Sequence, residues 1–398
     1  MTKGAGISRT PLPKGFRAGG VNSGVRRYRP DFGVIISDEE SVAVGVFTQN
    51  ECKAAPVTYC MGLLPSAHVR AIVTNSGQAN AATGPEGRTN NWRMAVSIAK
   101  SIGCLPHQVM TASTGVIGKQ MEIEKLEAAA SELVERVTDH AESFALAILT
   151  TDLVPKTVST VVKLSQGEVR ITGISKGSGM IHPNMATMLG YLLTDAALPL
   201  SIAKDMLKEA SDLSFNMISV DGDTSTNDCV FMMANGASGV SLQTDEDFHV
   251  FKNALFEVSR LLAKAIARDG EGANKLIEVK LVGAPDEAMA KKAARGITIS
   301  PLIKTAIHGE DPNWGRILAR LGAEGIPAQC LERMTLSIQG RRLFENGRPV
   351  EFEKMEVRQA LRSDTIQIDI DFNSGREEAT AWGCDLSKRY VEINTEYN

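Results

Sequence analysis

The sequence contains no uninterrupted apolar run of about 18 residues, the length that a membrane-spanning helix needs. Aromatic residues make up only 5% of the chain, and no basic cluster is interleaved with them. The 43 lysine and arginine residues against 47 aspartate and glutamate residues give a net charge of −4, which argues against nucleic acid as a partner. The N-terminal segment lacks the apolar core of a secretion signal. We therefore predict a cytoplasmic protein with neither a membrane nor a nucleic acid as partner.

Patterns of metal and nucleotide sites are also scarce. The six cysteines are scattered without a C-x-x-C pair, which predicts reduced thiols and no zinc site. The acidic run SVDGDTSTND (219–228) fails as a calcium loop, because Thr226 and Met232 stand where Gly and Glu are needed. The run is instead a self-hydrogen-bonded turn or a loop beside an active site. The run NSGQANAATG (75–84) is not G-x-G-x-x-G and contains no G-K-[ST], so nucleotide binding is weakly supported. From these patterns together we predict no bound metal and no bound cofactor.

Strand-like runs alternate with helical patterns along the whole chain. Short apolar runs predict strands at 32–37, 42–47 and 69–74. Apolar residues at helical spacing predict long helices at about 123–149 and at 245–268. No repeat or low-complexity linker divides the chain, so the pattern predicts an α/β or α+β fold.

A small hydroxyl residue, Thr187, lies where the loop KGSGMIHPNMA gives way to an apolar run. A threonine hydroxyl is a weak nucleophile unless a base lies beside it, and its own α-amine is such a base if the chain is cut before it. The cut would follow from attack of the Thr187 hydroxyl on the carbonyl of Ala186 and hydrolysis of the resulting ester. On the residues alone an ordinary buried threonine is the favoured interpretation, and self-cleavage is the alternative.

Two glycine-containing motifs offer groups for similar chemistry. In ASTGVIG, Thr114 and Gly115 either present a hydroxyl and an unobstructed N–H to an oxyanion or form a common turn. In RDGEGANK, Glu271 either meets a ligand amine or is a solvated acid after a helix. His182 has no evident acidic partner and is followed by proline, so we predict a structural role for it.

Taken in order, the motifs closely resemble those of the ornithine acetyltransferase family, also called glutamate N-acetyltransferase, of arginine biosynthesis. The resemblance extends over essentially the whole chain and rests on GVFTQN, NSGQANA, STGVIG, TTD, KGSGMIHPNMATML, DGDTSTND, DGEGANK, DPNWGRI and INTEY. It implies an α/β (α+β) sandwich resembling that of the N-terminal-nucleophile hydrolases. It also implies a self-cut between Ala186 and Thr187. The α chain (1–186) and the β chain (187–398) would form one intertwined catalytic unit and an α2β2 assembly.

The resemblance also implies a role for each matching residue. Thr187 would be the nucleophile, and Thr114 and Gly115 would stabilise the oxyanion. The implied substrate contacts are Thr150 (in preference to Thr151), Lys176, Thr187, Glu271 and Asn394. The implied reaction is a ping-pong transfer of acetyl from N-acetylornithine to glutamate, with acetyl-CoA left open as a second donor. A Ser or Thr contact usual beyond the last asparagine is expected to be missing here or replaced by Asn398.

Two rival functions use the same residues differently. A hydrolase would employ the same nucleophile with water as the acceptor, and would release acetate without glutamate. A non-catalytic small-molecule-binding protein would keep Thr187 as a core residue and would stay a single uncut chain.

Overall fold

The computed structural model describes residues 9–182 and 188–396 of the chain. In these ranges the strands are β1 (Phe16–Val21), β2 (Phe32–Phe47), β3 (Ser66–Gln78), β4 (Val109–Val116), β5 (Lys156–Leu164), β6 (Gly167–Lys176), β7 (Leu189–Thr194), β8 (Ile218–Ser219), β9 (Cys229–Ala234), β10 (Leu276–Ala284), β11 (Thr335–Ile338), β12 (Arg341–Glu345), β13 (Arg348–Pro349), β14 (Thr365–Asp371) and β15 (Glu377–Cys384). The helices are α1 (Ala55–Leu63), α2 (Gly84–Ile102), α3 (Ile123–Glu135), α4 (Glu142–Ala147), α5 (Leu200–Leu213), α6 (Asp245–Arg268), α7 (Glu287–Ile299), α8 (Pro301–His308), α9 (Trp314–Ala323), α10 (Ala328–Arg333), α11 (Lys354–Ala360) and α12 (Lys388–Glu396).

The chain divides into two compact units that do not follow its order. The first comprises the described residues within Met1–Gly177, Met185–Ser211 and Ser225–Leu262, and the second comprises those within Ser178–Asn184, Asp212–Thr224 and Ala263–Asn398. Each unit therefore takes segments from both sides of the predicted cleavage point. The mixture of strands and helices confirms the α/β (α+β) class predicted from the sequence.

The first unit is built on an eight-stranded sheet with the order β4-β3-β2-β9-β7-β6-β5, to which β1 adds by pairing with β2. The pairs β3–β4 and β7–β9 are parallel, and the other pairs of this sheet are antiparallel. Alternate strand residues point to opposite faces, so Val34 and Ile36 pack with helices α2 and α3, whereas Ile35 packs in a core that includes residues of α1 and α4. Both faces of the sheet are thus covered by helices.

Strand β2 corrects the prediction of two separate strands at 32–37 and 42–47. The chain forms one strand of 16 residues, and the pairing with β3 shifts register between Ile36 and Ser41. Asp38, Glu39 and Glu40 are exposed at this irregularity. Charged residues between two apolar runs are typical of a loop, so the sequence predicts a break between two strands. A bulge instead lets these side chains reach solvent while the strand continues.

The predicted single helix over about 123–149 is wrong, because α3 ends at Glu135 and α4 begins only at Glu142. Between them, Thr138 pairs with β1: its amide donates to the carbonyl of Ala18 at 2.9 Å, and the amide of Ala18 donates to its carbonyl at 2.8 Å. The apolar spacing continues across the break because both helices face the same unit's core. Only the hydrogen bonds to a distant strand show that the helix stops.

The second unit contains a seven-stranded sheet with the order β13-β12-β11-β14-β10-β15-β8. Strand β14 shows the alternation of a sheet with one covered face, since Ile366, Ile368 and Ile370 are buried between more exposed neighbours. Helix α7 packs on β10 and β15 through alanines such as Ala290, Ala293 and Ala294. These small side chains let the helix approach the sheet closely.

Candidate functional site

Lys176 is the centre of a buried polar cluster in the first unit. It is the last residue of β6, where it pairs with Leu189 of β7, and it is only 3% exposed. Its ammonium group donates to Thr150 Oγ1 at 2.7 Å and to Thr114 Oγ1 at 3.4 Å, and lies 3.5 Å from Asp152 Oδ2. Three residues that the sequence predicts at the site, Thr114, Thr150 and Lys176, are thus brought together from separate parts of the chain.

Thr114 and Gly115 lie near the end of β4, where this strand runs parallel to β3. Gly115 has φ +131°, and a Cβ atom there would lie 2.3 Å from the carbonyl carbon of Gly77. Only glycine fits such a close approach. Because the Thr114 hydroxyl accepts from Lys176, its own proton is free to be donated to a ligand. Thr114 therefore offers one O–H donor at a strand end where the next position accommodates only glycine. Oxyanion stabilisation requires such a donor.

Asp152 organises the cluster, although the motif TTD by itself indicates no role for its aspartate. Its Oδ1 accepts from Lys156 Nζ at 2.8 Å and from the Gly177 amide at 2.7 Å, and its Oδ2 accepts from the Thr150 amide at 3.1 Å. Burial by itself raises the pKa of Asp152, but the ammonium groups of Lys176 and Lys156 outweigh it and hold the pKa below its ordinary value. At neutral pH the carboxylate is therefore ionised.

The last four residues of the acidic run, 225–228, supply a second structural link in the first unit. The Asn227 side chain donates to the carbonyls of Ala79 at 2.6 Å and Ser113 at 2.8 Å, and Thr48 Oγ1 donates to the carbonyl of Ser225 at 2.7 Å. The Thr226 hydroxyl donates to Asn227 Oδ1 at 2.6 Å, as the interpretation of this run as a self-hydrogen-bonded turn predicts. Asn227 thus holds the residue before Thr114.

In the second unit, Glu271 and Asn394 are in contact. The Asn394 side chain donates to Glu271 Oε2 at 2.9 Å and to the carbonyl of Tyr390 at 3.0 Å. Glu271 is only 9% exposed, so the alternative of a solvated acid after a helix is wrong. A Cβ atom at Gly179 would lie within 2.4 Å of the Glu271 carboxylate, so glycine at this position leaves room for that group.

The predicted nucleophile Thr187, its neighbour Ala186 and the terminal Asn398 lie outside the described residues. The sequence GISKG (173–177) satisfies the pattern G-x-S-x-G of the serine-hydrolase nucleophile elbow, with Ser175 at the position of the nucleophile. It is a buried residue within β6 rather than at a strand-to-helix turn, so it does not form the nucleophile elbow of a serine hydrolase.

His182 in the second unit has the structural contacts that its sequence context predicts. Its Nδ1 lies 3.3 Å from Ser219 Oγ, and its Nε2 lies 3.3 Å from the guanidinium group of Arg295. Burial and the positive charge of Arg295 lower the pKa of His182 to about 4. The ring is therefore neutral at physiological pH, and Nε2 accepts from Arg295.

This pKa makes stability depend on pH. The unfolded chain binds a proton at His182 below about pH 6.5, whereas the folded chain does so only below about pH 4. Acid therefore favours the unfolded state between these values. We expect His182→Asn to reduce the loss of stability between pH 7 and pH 5 by roughly 1 kcal/mol, since partial exposure weakens the full effect. Urea unfolding of both proteins at the two pH values measures it; equal losses would contradict the assignment.

Within the described ranges, no three His, Cys, Asp or Glu side chains are grouped so that they could hold a metal ion. In the same ranges, no helix has the length and apolar character needed to cross a bilayer.

Comparison with known proteins identifies the family. A profile of the ArgJ family matches residues 17–398. The arginine biosynthesis bifunctional protein ArgJ of Thermotoga neapolitana is 45% identical over 394 residues, covering 97% of this chain and 99% of that protein. The protein of the same name from Oceanobacillus iheyensis is 43% identical over 388 residues, covering 97% and 95%. The crystal structure of argJ from Bacillus halodurans, 40% identical, matches with a TM-score of 0.51 over 53% of this chain and 100% of that chain. The chain therefore belongs to the ArgJ family.

Proposed function

We propose that this chain is an acetyltransferase of arginine biosynthesis, which moves the acetyl group of N2-acetyl-L-ornithine to L-glutamate. Membership of a family whose members are named for arginine biosynthesis supports the pathway. The observation that carries the chemistry is the buried cluster in which Lys176 joins Thr114 to Thr150. It provides hydroxyl donors and one fixed positive charge, and these suit an acyl group that develops negative charge and an amino acid that carries a carboxylate.

The proposed nucleophile is Thr187, unmasked by a self-cut after Ala186. The hydroxyl oxygen of Thr187 attacks the acetyl carbonyl while its α-amine takes the proton. The Thr114 hydroxyl and the Gly115 amide stabilise the oxyanion, each donor contributing roughly 3 kcal/mol in comparable sites. The carbon–nitrogen bond then breaks, the proton passes to the leaving amine of ornithine, and glutamate takes the acetyl group from Thr187.

Substrate binding falls to the remaining residues of the predicted site. The Lys176 ammonium group, with three N–H donors, lies 2.7 Å from Thr150 Oγ1, 3.4 Å from Thr114 Oγ1 and 3.5 Å from Asp152 Oδ2. A substrate carboxylate would replace one of the two longer contacts. Glu271, held by Asn394, would pair with the substrate ammonium. We propose no bound cofactor; acetyl-CoA would be a second acetyl donor, consistent with the word bifunctional in the relatives' names. An α2β2 assembly and a cytoplasmic location stay predictions.

The decisive experiment follows the acetyl group with and without the acceptor. Incubated with N-acetylornithine alone, the β chain should gain the mass of one acetyl group and release at most one equivalent of ornithine. Adding glutamate should remove that mass and give N-acetylglutamate with continuous turnover. Steady release of acetate without glutamate would show a hydrolase instead, and an uncut chain that gains no mass would favour a binding protein. A parallel reaction with acetyl-CoA and glutamate tests the second donor.

A further inference from the structure

Arg26 lies in the loop between β1 and β2 and connects two segments of the candidate site in the first unit. The residue is half-buried, and its guanidinium group donates through Nη1 to the carbonyl of Leu149 and, at 3.5 Å, to Ser76 Oγ. Leu149 immediately precedes Thr150, whose hydroxyl accepts from Lys176 at 2.7 Å. Arg26 therefore holds the main chain one residue before a predicted substrate contact.

The aliphatic part of the Arg26 side chain lies on Gly77, close to the predicted oxyanion residues. A Cβ atom at Gly77 would be 3.1 Å from Arg26 Cγ and 3.5 Å from its Cδ, so the stem fits there because Gly77 has no side chain. Gly77 pairs with Gly115 across β3 and β4. The Arg26 side chain therefore extends from the strand ends that include Gly115 to the segment that carries Thr150.

Hydrogen bonds within the β1–β2 loop fix the main chain of Arg26. The buried Asp31 accepts from the Arg26 amide at 2.7 Å through Oδ2, and from the amide and hydroxyl of Ser23, both at 2.7 Å, through Oδ1. The Asn22 side chain donates to the Arg26 carbonyl at 2.9 Å. The Asp31 carbonyl accepts from the Ser76 amide at 2.8 Å, which ties the loop to β3. The side chain of Arg26 therefore starts from a fixed position.

The carbonyl groups that receive these donors lie at the end of α4. The last carbonyls of a helix have no partner within the helix, and a cation beside them is favourable. Ser76 Oγ donates to the Ala147 carbonyl at 2.7 Å, and Arg26 donates to the Leu149 carbonyl two residues later. Because α4 has only six residues, contacts from outside the helix determine the path of the chain into Thr150.

We propose that Arg26 is a positioning residue for acetyl transfer. It fixes Thr150, and through Thr150 the Lys176 ammonium group, at a set separation from the oxyanion donors. This inference deepens the proposed function and rests on it. A substrate whose carboxylate binds Lys176 must also place its acetyl carbonyl at Thr114 and Gly115, so this separation determines how well the substrate binds. In this role Arg26 acts through Thr150 and does not touch the reacting atoms.

The variant that tests this is Arg26→Met, which keeps an unbranched stem over Gly77 and removes the donor. With Thr150 and Lys176 loosened, the KM values for N-acetylornithine and for glutamate should both rise on the order of tenfold. The kcat value should change far less, because the pairing of β3 with β4 still holds the oxyanion donors. Steady-state kinetics with each substrate varied measure this split. A purely structural role would lower the melting temperature and leave both KM values unchanged.

Two further variants separate the hydrogen bond from charge and size. In Arg26→Lys an ammonium group on a similar stem can still donate to the Leu149 carbonyl, so most of the loss in KM should be recovered. Arg27→Met is the matched control, with the same change one residue along the loop. Arg27 is exposed, and its guanidinium carbon lies 5.2 Å from the centre of the Tyr28 ring. This variant should keep the wild-type KM values.

The outcomes distinguish the two levels of the proposal. If the wild-type protein transfers no acetyl group, the proposed function itself fails. If the wild type transfers acetyl and Arg26→Met keeps both KM values, only the role of Arg26 is overturned. A fall in kcat at unchanged KM also overturns it, because the Arg26 charge would then act on the transition state alone. So does an Arg26→Met protein that fails to fold, or an Arg26→Lys protein that recovers nothing.

Discussion

Thr187→Ala should give a single uncut polypeptide of 42.8 kDa without acetyl-transfer activity. The methyl side chain cannot attack the carbonyl of Ala186, so no chain is cut and no N-terminal amine is formed. It cannot carry the acetyl group either, so the loss of the hydroxyl oxygen abolishes both the self-cut and the acetyl transfer. Loss of a catalytic nucleophile typically lowers kcat by a factor on the order of 10⁴ or more. Intact mass under denaturing conditions and a glutamate-dependent acetyl-transfer assay measure the two effects separately.

Thr187→Ser is the matched control for this prediction. Serine keeps the hydroxyl and loses only the methyl group, so we expect cleavage at the same bond and reduced but measurable transfer. Because Thr187→Ala must itself remain folded, its melting temperature should be compared with that of the wild type. An alanine variant that is cut, or that transfers acetyl at the wild-type rate, would rule out the proposed nucleophile.

Asp152→Asn is expected to have the second-largest effect, on both stability and activity. The carboxylate lies between Lys156 and Lys176, and its side chain is completely buried. Asparagine would leave two buried ammonium groups without their counter-charge, which costs roughly 3–5 kcal/mol when one partner of a buried pair is removed. Lys176 would also lose one of the groups that direct it toward Thr114 and Thr150. Urea unfolding and steady-state kinetics measure the two losses.

A second substitution separates charge balance from orientation. Asp152→Asn combined with Lys156→Met restores the net charge of the cluster, so much of the stability should return. The acetyl-transfer rate should stay low, because Lys176 still lacks the carboxylate that positions it. The single variant Lys156→Met keeps the pair between Asp152 and Lys176 and serves as the control. Full recovery of activity in the double variant would mean that Asp152 matters for charge alone.

Several features of the chain could be predicted from local pattern. The helix α6 was predicted with its observed bounds, because 24 residues of regular apolar spacing leave no competing interpretation. The strand β2 and the helix pair α3 and α4 were predicted with wrong boundaries. In both cases the deciding contacts come from distant parts of the chain: the shifted pairing with β3 in one, and the bridge between Thr138 and Ala18 in the other.

The residues of the candidate site divide in the same way, since motifs indicate some of them and only contacts in the folded chain indicate others. Motif order alone pointed to Thr114, Lys176 and the other implied residues, because each motif keeps its functional side chain in a short recognisable context. Asp152 received no role, since an aspartate in a loop looks the same in the sequence whether it is solvated or buried. Its importance follows from burial and from its contacts with Lys156 and the Gly177 amide, which only the folded chain brings within 3 Å.

What the sequence determined by itself is the fold class, the family and the residues that the motifs imply, because these depend on residue type, spacing and order along the chain. What the tertiary structure decided is which side chains share a buried environment: Lys176 between Thr114 and Thr150, and Glu271 beside Asn394. The physical reason is that desolvation and hydrogen bonding act over a few ångströms in space. They set the charge, the pKa and the orientation of a group through neighbours that are 26 to 123 residues away in the chain.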